Sequence, residues 1–175
     1  SGTNAVGDAS GGGNVISGNQ YDGIAIEGSN AVGNTVCGNY IGLDAAGLVA
    51  LSNSDHGVSL ESGANQNTVG GVTEGAGNYI SGNGGGAGSD YGVWIGGYAG
   101  GNDVFGNVIG LNASNEAVPN AGDGVRIENS ASNNIGSIVL SGGNVISGNN
   151  GDGIQLGTNA FANVVVNNYI GTDTN

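Results

Sequence analysis

The chain has 175 residues, among them 40 Gly, one Pro, one Trp and one Cys, and fourteen acids against a single Arg leave a formal net charge of −13. The size allows one domain with a real core. No Gly-X-Y period runs through it, which excludes collagen, and 37% hydrophobic content at regular positions excludes disorder. The negative surface disfavours nucleic acid as a partner, and anionic membranes and polyuronates with it, while it suits divalent cations. No apolar run approaches 18 residues, so no membrane insertion is expected. The lone Cys37 has no partner for an internal disulfide.

In chain order, three short motifs recur. The first is Asn-x-(Val/Ile), starting at Asn4, Asn34, Asn67, Asn102, Asn133 and Asn163. The second is Asn-(Val/Tyr)-Ile, starting at Asn14, Asn39, Asn78, Asn107, Asn144 and Asn168. Its fullest form, GNVISGN or GNYISGN, occupies Gly13–Asn19, Gly77–Asn83 and Gly143–Asn149. The third is Gly-(Val/Ile)-x-(Ile/Leu), starting at Gly23, Gly57, Gly92, Gly124 and Gly153. We name these runs a, b and c. Their order repeats five times, and a and b then occur once more. Self-similarity at about 30 residues is the mark of a solenoid. Each run alternates apolar and other residues, as strands do. Gly, Asn, Asp and Ser separate the runs and form turns.

These features predict an all-β fold, a right-handed parallel β-helix. It has about five and a half coils of roughly 30 residues, each with three strands. A strand then pairs with its counterpart one coil up, about 4.8 Å away, and the rod is about 25 Å long. The a-to-b spacing runs 10, 5, 11, 5, 11, 5, so two coil types alternate. Residues 43–56 and 111–123 form long b-to-c loops on one side of the rod. Two coils separate them, an expected gap of about 10 Å.

Registering the coils gives the core by column. Run a turns Val6, Val36, Val69, Val104, Ile135 and Val165 inward. Run b contributes Ile16, Ile41, Ile80, Ile109, Ile146 and Ile170. Run c adds two columns, from Ile24 and Ile26 to Ile154 and Leu156. Burial of each is worth about 1.5–3 kcal/mol. The strand-initial asparagines form two further columns. They either stack as amide ladders or act as turn residues with solvated side chains.

The pattern resembles the right-handed parallel β-helix repeats of the pectin-lyase-like superfamily. More narrowly, it is similar to the Asn-rich arrays (NVISGN, DGIxI, NTVxGNYIG) of large secreted or cell-surface bacterial proteins. The resemblance covers essentially the whole chain. It implies an extracellular or cell-surface location and a passive or carbohydrate-facing role. Its motifs specify the fold and no activity.

Catalysis on a polysaccharide asks for more than these residues offer. Glycoside hydrolysis needs two carboxylates flanking a bound sugar, and polyuronate lysis needs a base and cations that hold the substrate carboxylate. Here Arg126 is the only permanent cation and His56 the only histidine. Five carboxylates, Asp22, Asp55, Asp90, Asp123 and Asp152, fall just before the run-c glycines and are expected to stack on one corner. They are either a calcium-binding edge or turn residues capping local amides. Residues 85–90 also mimic one copy of a calcium-binding nonapeptide. No cofactor is required; Ca²⁺ is the one candidate.

The outward columns hold the remaining candidates. Run b presents Tyr40, Tyr79 and Tyr169, and run c presents Trp94. Tyr79, Trp94, Tyr91 and Tyr98 fall in one coil and are read as an aromatic group for a sugar or a partner protein. The competing reading is that Leu48, Val49 and Leu51 of the first long loop cover them. Asn112-Ala113-Ser114 is a glycosylation sequon, and Cys37 is a surface thiol. No capping segment is recognisable at either end. The chain is therefore expected to be one 1–175 domain within a longer array, or a unit that pairs end to end with itself in a filament. The functional expectation is a non-catalytic stalk, fibre subunit or adhesin-like spacer. A polysaccharide-binding module is the second reading, and a fragment of a carbohydrate-active β-helix enzyme the third.

Overall fold

The computed structural model describes residues 3–85 and 90–172. Three parallel sheets of six, six and five strands wrap the chain into coils, and every strand pairs with its equivalent in the next coil. Sheet a holds Ala5–Val6, Thr35–Val36, Thr68–Gly70, Asp103–Phe105, Asn134–Ile135 and Val164–Val165. Sheet b holds Val15–Ile16, Tyr40–Ile41, Tyr79–Ile80, Val108–Ile109, Val145–Ile146 and Tyr169–Ile170. Sheet c holds Ile24–Glu27, Val58–Glu61, Val93–Ile95, Val125–Ile127 and Ile154–Leu156. The coil is the expected right-handed parallel β-helix, the hand that parallel crossovers take. The only helical element among the described residues is a 3₁₀ turn at Leu140–Gly142.

The registers are those read from the sequence. Val36 pairs with Val69, Ile41 with Ile80, and Val93 with Val125. One column shows what the stacking contributes. Ile41, Ile80, Ile109 and Ile146 are fully buried, while Ile170 of the last coil is 51% exposed. The residue type is the same, and the coil above makes the difference. A further inward column lies at the c–a corner. The bridges Val32↔Asn65↔Gly100↔Ala131↔Phe161 align the residues just before them: Ala31, Ala64, Ala99, Ser130 and Ala160. Ala64 and Ala99 are buried, and Ala31 and Ala160 pack against the core. Ser130 substitutes for alanine there, and its buried Oγ has no hydrogen-bond partner.

The asparagines are ladders, not solvated turn residues. In the a column each Oδ1 accepts both the backbone N–H and the Nδ2 of the asparagine one coil earlier, at 2.7–3.1 Å. The b column repeats this from Asn14 to Asn168. The second Nδ2 proton is used too: Asn78 donates to Val36 O and Asn107 to Val69 O, both at 2.9 Å. A buried amide so satisfied stabilises by about 1 kcal/mol per bond, whereas an orphaned one costs more. A third ladder runs at the b–c corner through Asn19, Asn53, Asn83, Asn120 and Asn149, beyond the two columns expected.

The long loops are hairpin excursions from otherwise regular coils. Antiparallel bridges Leu43↔Ala50 and Leu111↔Ala117 form them. Leu51 N donates to Gly42 O and Val118 N to Gly110 O, so each excursion closes where it began. The carboxylate of Asp44 caps the first tip by accepting from the N–H groups of Leu48 and Val49 at 2.8 and 3.1 Å. The expected gap between the loops is absent. Ala113 N donates to Gly47 O at 2.9 Å, and Asn112 Nδ2 to Leu48 O at 3.0 Å. The two hairpins therefore meet although two coils separate their roots. Asn112 also donates to Glu116, so in the fold the sequon amide is fully engaged.

Candidate functional site

Alternation turns every second residue of sheet c outward. The register aligns Ala25, Ser59, Trp94, Arg126 and Gln155 on that face. The residues just before the run-c glycines form a second column at the corner: Asp22, His56, Tyr91, Asp123 and Asp152. The five aspartates therefore do not make one stack. Asp55 and Asp90 lie one residue outside it, because His56 and Tyr91 occupy their places. A one-residue slip is enough to re-aim a side chain.

The slip brings together the chain's only His, only Trp and only Arg. The His56 and Tyr91 rings lie 5.1 Å apart at 10°, His56 and Trp94 5.7 Å apart at 27°, and Tyr91 and Trp94 5.5 Å apart at 24°. The Arg126 guanidinium sits 5.3 Å from the centre of the Tyr91 ring, a cation–π distance. It also pairs with Asp123 at 3.4 Å and Glu128 at 3.2 Å, and donates to Gln155 Oε1. A guanidinium so engaged has little left to grasp a substrate carboxylate. His56 Nδ1 accepts the Tyr91 N–H at 3.0 Å, which assigns the neutral ring's proton to Nε2.

Asp22 and Asp123 each cap backbone one coil on. Asp22 accepts from His56 N–H at 2.9 Å and from the Ser59 hydroxyl at 2.7 Å. Asp123 accepts from Asp152 N–H at 2.8 Å. Asp152 accepts from Gln155 at 3.0 Å. Among the described residues no three His, Cys, Asp or Glu side chains converge as a metal site would require. The nonapeptide-like stretch falls largely on residues 86–89, outside the described residues. Burial pushes the Asp90 carboxyl above its ordinary range; His56 opposes this, and Asp55 and Asp22 add to it.

Sheet b carries a separate surface. Tyr40 and Tyr79 meet in a tilted pair from coil to coil, with ring centres 5.4 Å apart and planes at 50°. Burial, and then Tyr40, raise the pKa of the Tyr79 hydroxyl. Cavities of about 400 and 390 Å³ open on either side of Tyr79 at the a–b corner. The alternating coil types build them: long corners at residues 7–13, 71–76 and 137–142 stand over the short corners at Gly38 and Gly106. Gly38 is at φ +69°, and a Cβ there would lie 2.5 Å from Asp8 O; only glycine fits this floor. The tip of the first hairpin covers Tyr40, since a Cβ on Gly47 would meet its ring at 2.7 Å. Leu48, Val49 and Leu51 remain exposed. Tyr169 stands exposed in the last coil, and Cys37 is half-buried and free.

Comparisons with protein-family models, curated proteins and solved structures return no match. The functional reading rests on geometry. Tyr79 belongs to sheet b, Trp94 to sheet c and Tyr98 to the c–a corner, so the expected single aromatic group is three separate features. The meeting of His56, Tyr91, Trp94 and Arg126 was missed although the signal was present: His56 and Tyr91 each precede a run-c glycine, and Trp94 and Arg126 each follow one by two residues.

Proposed function

We propose that the chain is a structural β-helix segment of the pectin-lyase-like type, serving as a stiff extracellular or cell-surface stalk, fibre unit or adhesin-like spacer. One observation carries this reading. Three sheets and three amide ladders run through the coils without a slip, which suits a part that holds length and shape. Its proposed partners are flanking repeats or a second copy. The reading requires no cofactor. On face c the only Arg is held by Asp123, Glu128 and Gln155, which speaks against a polyuronate subsite there. The test has two parts. Antibodies against the chain label the outside of intact source cells, and the purified protein releases no reducing ends or unsaturated products from a polysaccharide panel. Labelling confined to the cell interior, or turnover that co-purifies with the chain, overturns it.

A second reading, a polysaccharide-binding module, is favoured by the paired cavities beside Tyr40 and Tyr79. Under it, Tyr79→Ala abolishes retention on a polysaccharide column while the melting curve is kept.

A further inference from the structure

We propose that the corner between sheets c and a holds a binding slot for one ring of a neutral sugar, walled by Tyr98 and Phe161. This goes beyond the structural reading and uses neither Trp94 nor the sheet-b tyrosines. Tyr98 is 84% exposed and Phe161 66%, two large rings standing in water. The bridges Gly100↔Ala131↔Phe161 place Phe161 two coils beyond Gly100, about 10 Å along the rod. Tyr98 lies two residues before Gly100. The coil between offers only Ala131 at that position, and a cavity of about 420 Å³ opens over these residues. A ring packed at contact distance between two aromatic faces needs about 7–8 Å.

The polar groups of the slot suit hydroxyls. Asn159 Nδ2 donates to Asn129 Oδ1 at 3.0 Å. That leaves Asn129 Nδ2 as a donor and Asn159 Oδ1 as an acceptor, neither in a hydrogen bond among the described residues. A pyranose offers weakly polar faces to aromatic rings and hydroxyls at its rim to such amides. No Asp, Glu, His or Arg lines this cavity, whereas those of the a–b corner carry Asp8 and Glu74. A charge-free site on a protein of net charge −13 selects a neutral sugar over an acidic one. Tyr98 holds φ +67°, a rare conformation for a bulky residue. Its N–H donates to Asn129 O at 2.8 Å, which ties the first wall to the amide pair.

The test is a titration of the full chain with neutral gluco-, manno- and galacto-oligosaccharides, followed by amide NMR shifts. At least one is expected to shift Tyr98, Asn129, Asn159 and Phe161 together, with a dissociation constant of about a millimolar. Tyr98→Ala and Phe161→Ala are each expected to weaken binding about tenfold, with the melting temperature kept within about 3 °C because both rings are exposed. Phe161→Leu keeps the apolar bulk, loses the aromatic face and weakens binding too. Val49→Ala, on the exposed first hairpin, leaves the affinity unchanged. The absence of shifts with every neutral sugar at tens of millimolar overturns the proposal. So do shifts that survive both alanine variants, and a slot perturbed only by Phe- or Tyr-containing peptides, which marks a protein-docking corner.

Discussion

The two sides of sheet c follow different rules. Inward, the columns repeat: Val58, Val93 and Val125 stand above one another, as do Leu60, Ile95 and Ile127, all fully buried. Outward, the central column changes at every step, Ala25, Ser59, Trp94, Arg126, Gln155, and only the strand-closing Glu27 and Glu61 repeat. The inner face meets the same environment in every coil, because each strand packs against its own copy one step away. The outer face meets solvent and corner side chains, and there the coils differ most from one another. Repetition in this molecule marks packing, and its interruption marks the places where a side chain has a particular neighbour.

The harshest way to break the inner rule is Ile80→Asp. It places a carboxylate at a fully buried point, and the chain is expected to lose its cooperative melt. Ile170→Asp, in the same column but half in water, leaves a measurable one. A normal melt for Ile80→Asp by circular dichroism refutes the register. Next in size is Asn107→Ala. It strips the acceptor from the backbone N–H and Nδ2 of Asn78 and removes donors to Asn144 and Val69. The expected loss is about 3 kcal/mol. The exposed Asn4→Ala, at the start of a ladder, loses under about 1 kcal/mol in the same denaturant titration. Equal losses would mean that the ladders add nothing beyond turn geometry.

Ser130→Ala tests an interruption of the inner rule. Restoring alanine to its column removes a buried hydroxyl without a partner, and stability is expected to rise by about 1 kcal/mol. A loss there would show that the hydroxyl is satisfied in solution. The smallest effects come with acid, and they differ in sign. The N–H groups of Leu48 and Val49 hold the Asp44 carboxyl below its ordinary range. Its stabilisation is present above the unfolded value, about pH 4, and is lost as pH falls through the lower folded value. Amide exchange at Leu48 and Val49 should quicken there. Asp90, raised mainly by burial, behaves oppositely: its charge costs stability above the folded value, and falling pH relieves that cost. Amides around Asp90 should not quicken over the same range.

Particular residues show how far the sequence could be read. The a, b and c columns were legible because alternation and a period near 30 residues are backbone properties that repeat in every coil. The third asparagine ladder was hidden because Asn83 lies nine residues before its run-c glycine. The other four asparagines lie four residues before theirs. The split of the aspartates was legible in principle, since Asp55 and Asp90 stand one residue further from Gly57 and Gly92 than the others do from theirs. The contact between the hairpins had no sequence signal, because the lean of a loop depends on what its tip meets.

By itself the sequence determined the solenoid, its three faces, the inward columns and the negative surface, because each follows from local pattern and composition. Tertiary structure alone decided which outward residues meet. The Tyr98–Phe161 slot joins two corners about sixty residues apart along the chain, and the cavities beside Tyr79 exist only because long and short corners stack alternately. Inward positions are dictated by a neighbour of the same kind at a fixed 4.8 Å step. Outward positions have no such neighbour, so the path of each corner and loop sets their surroundings.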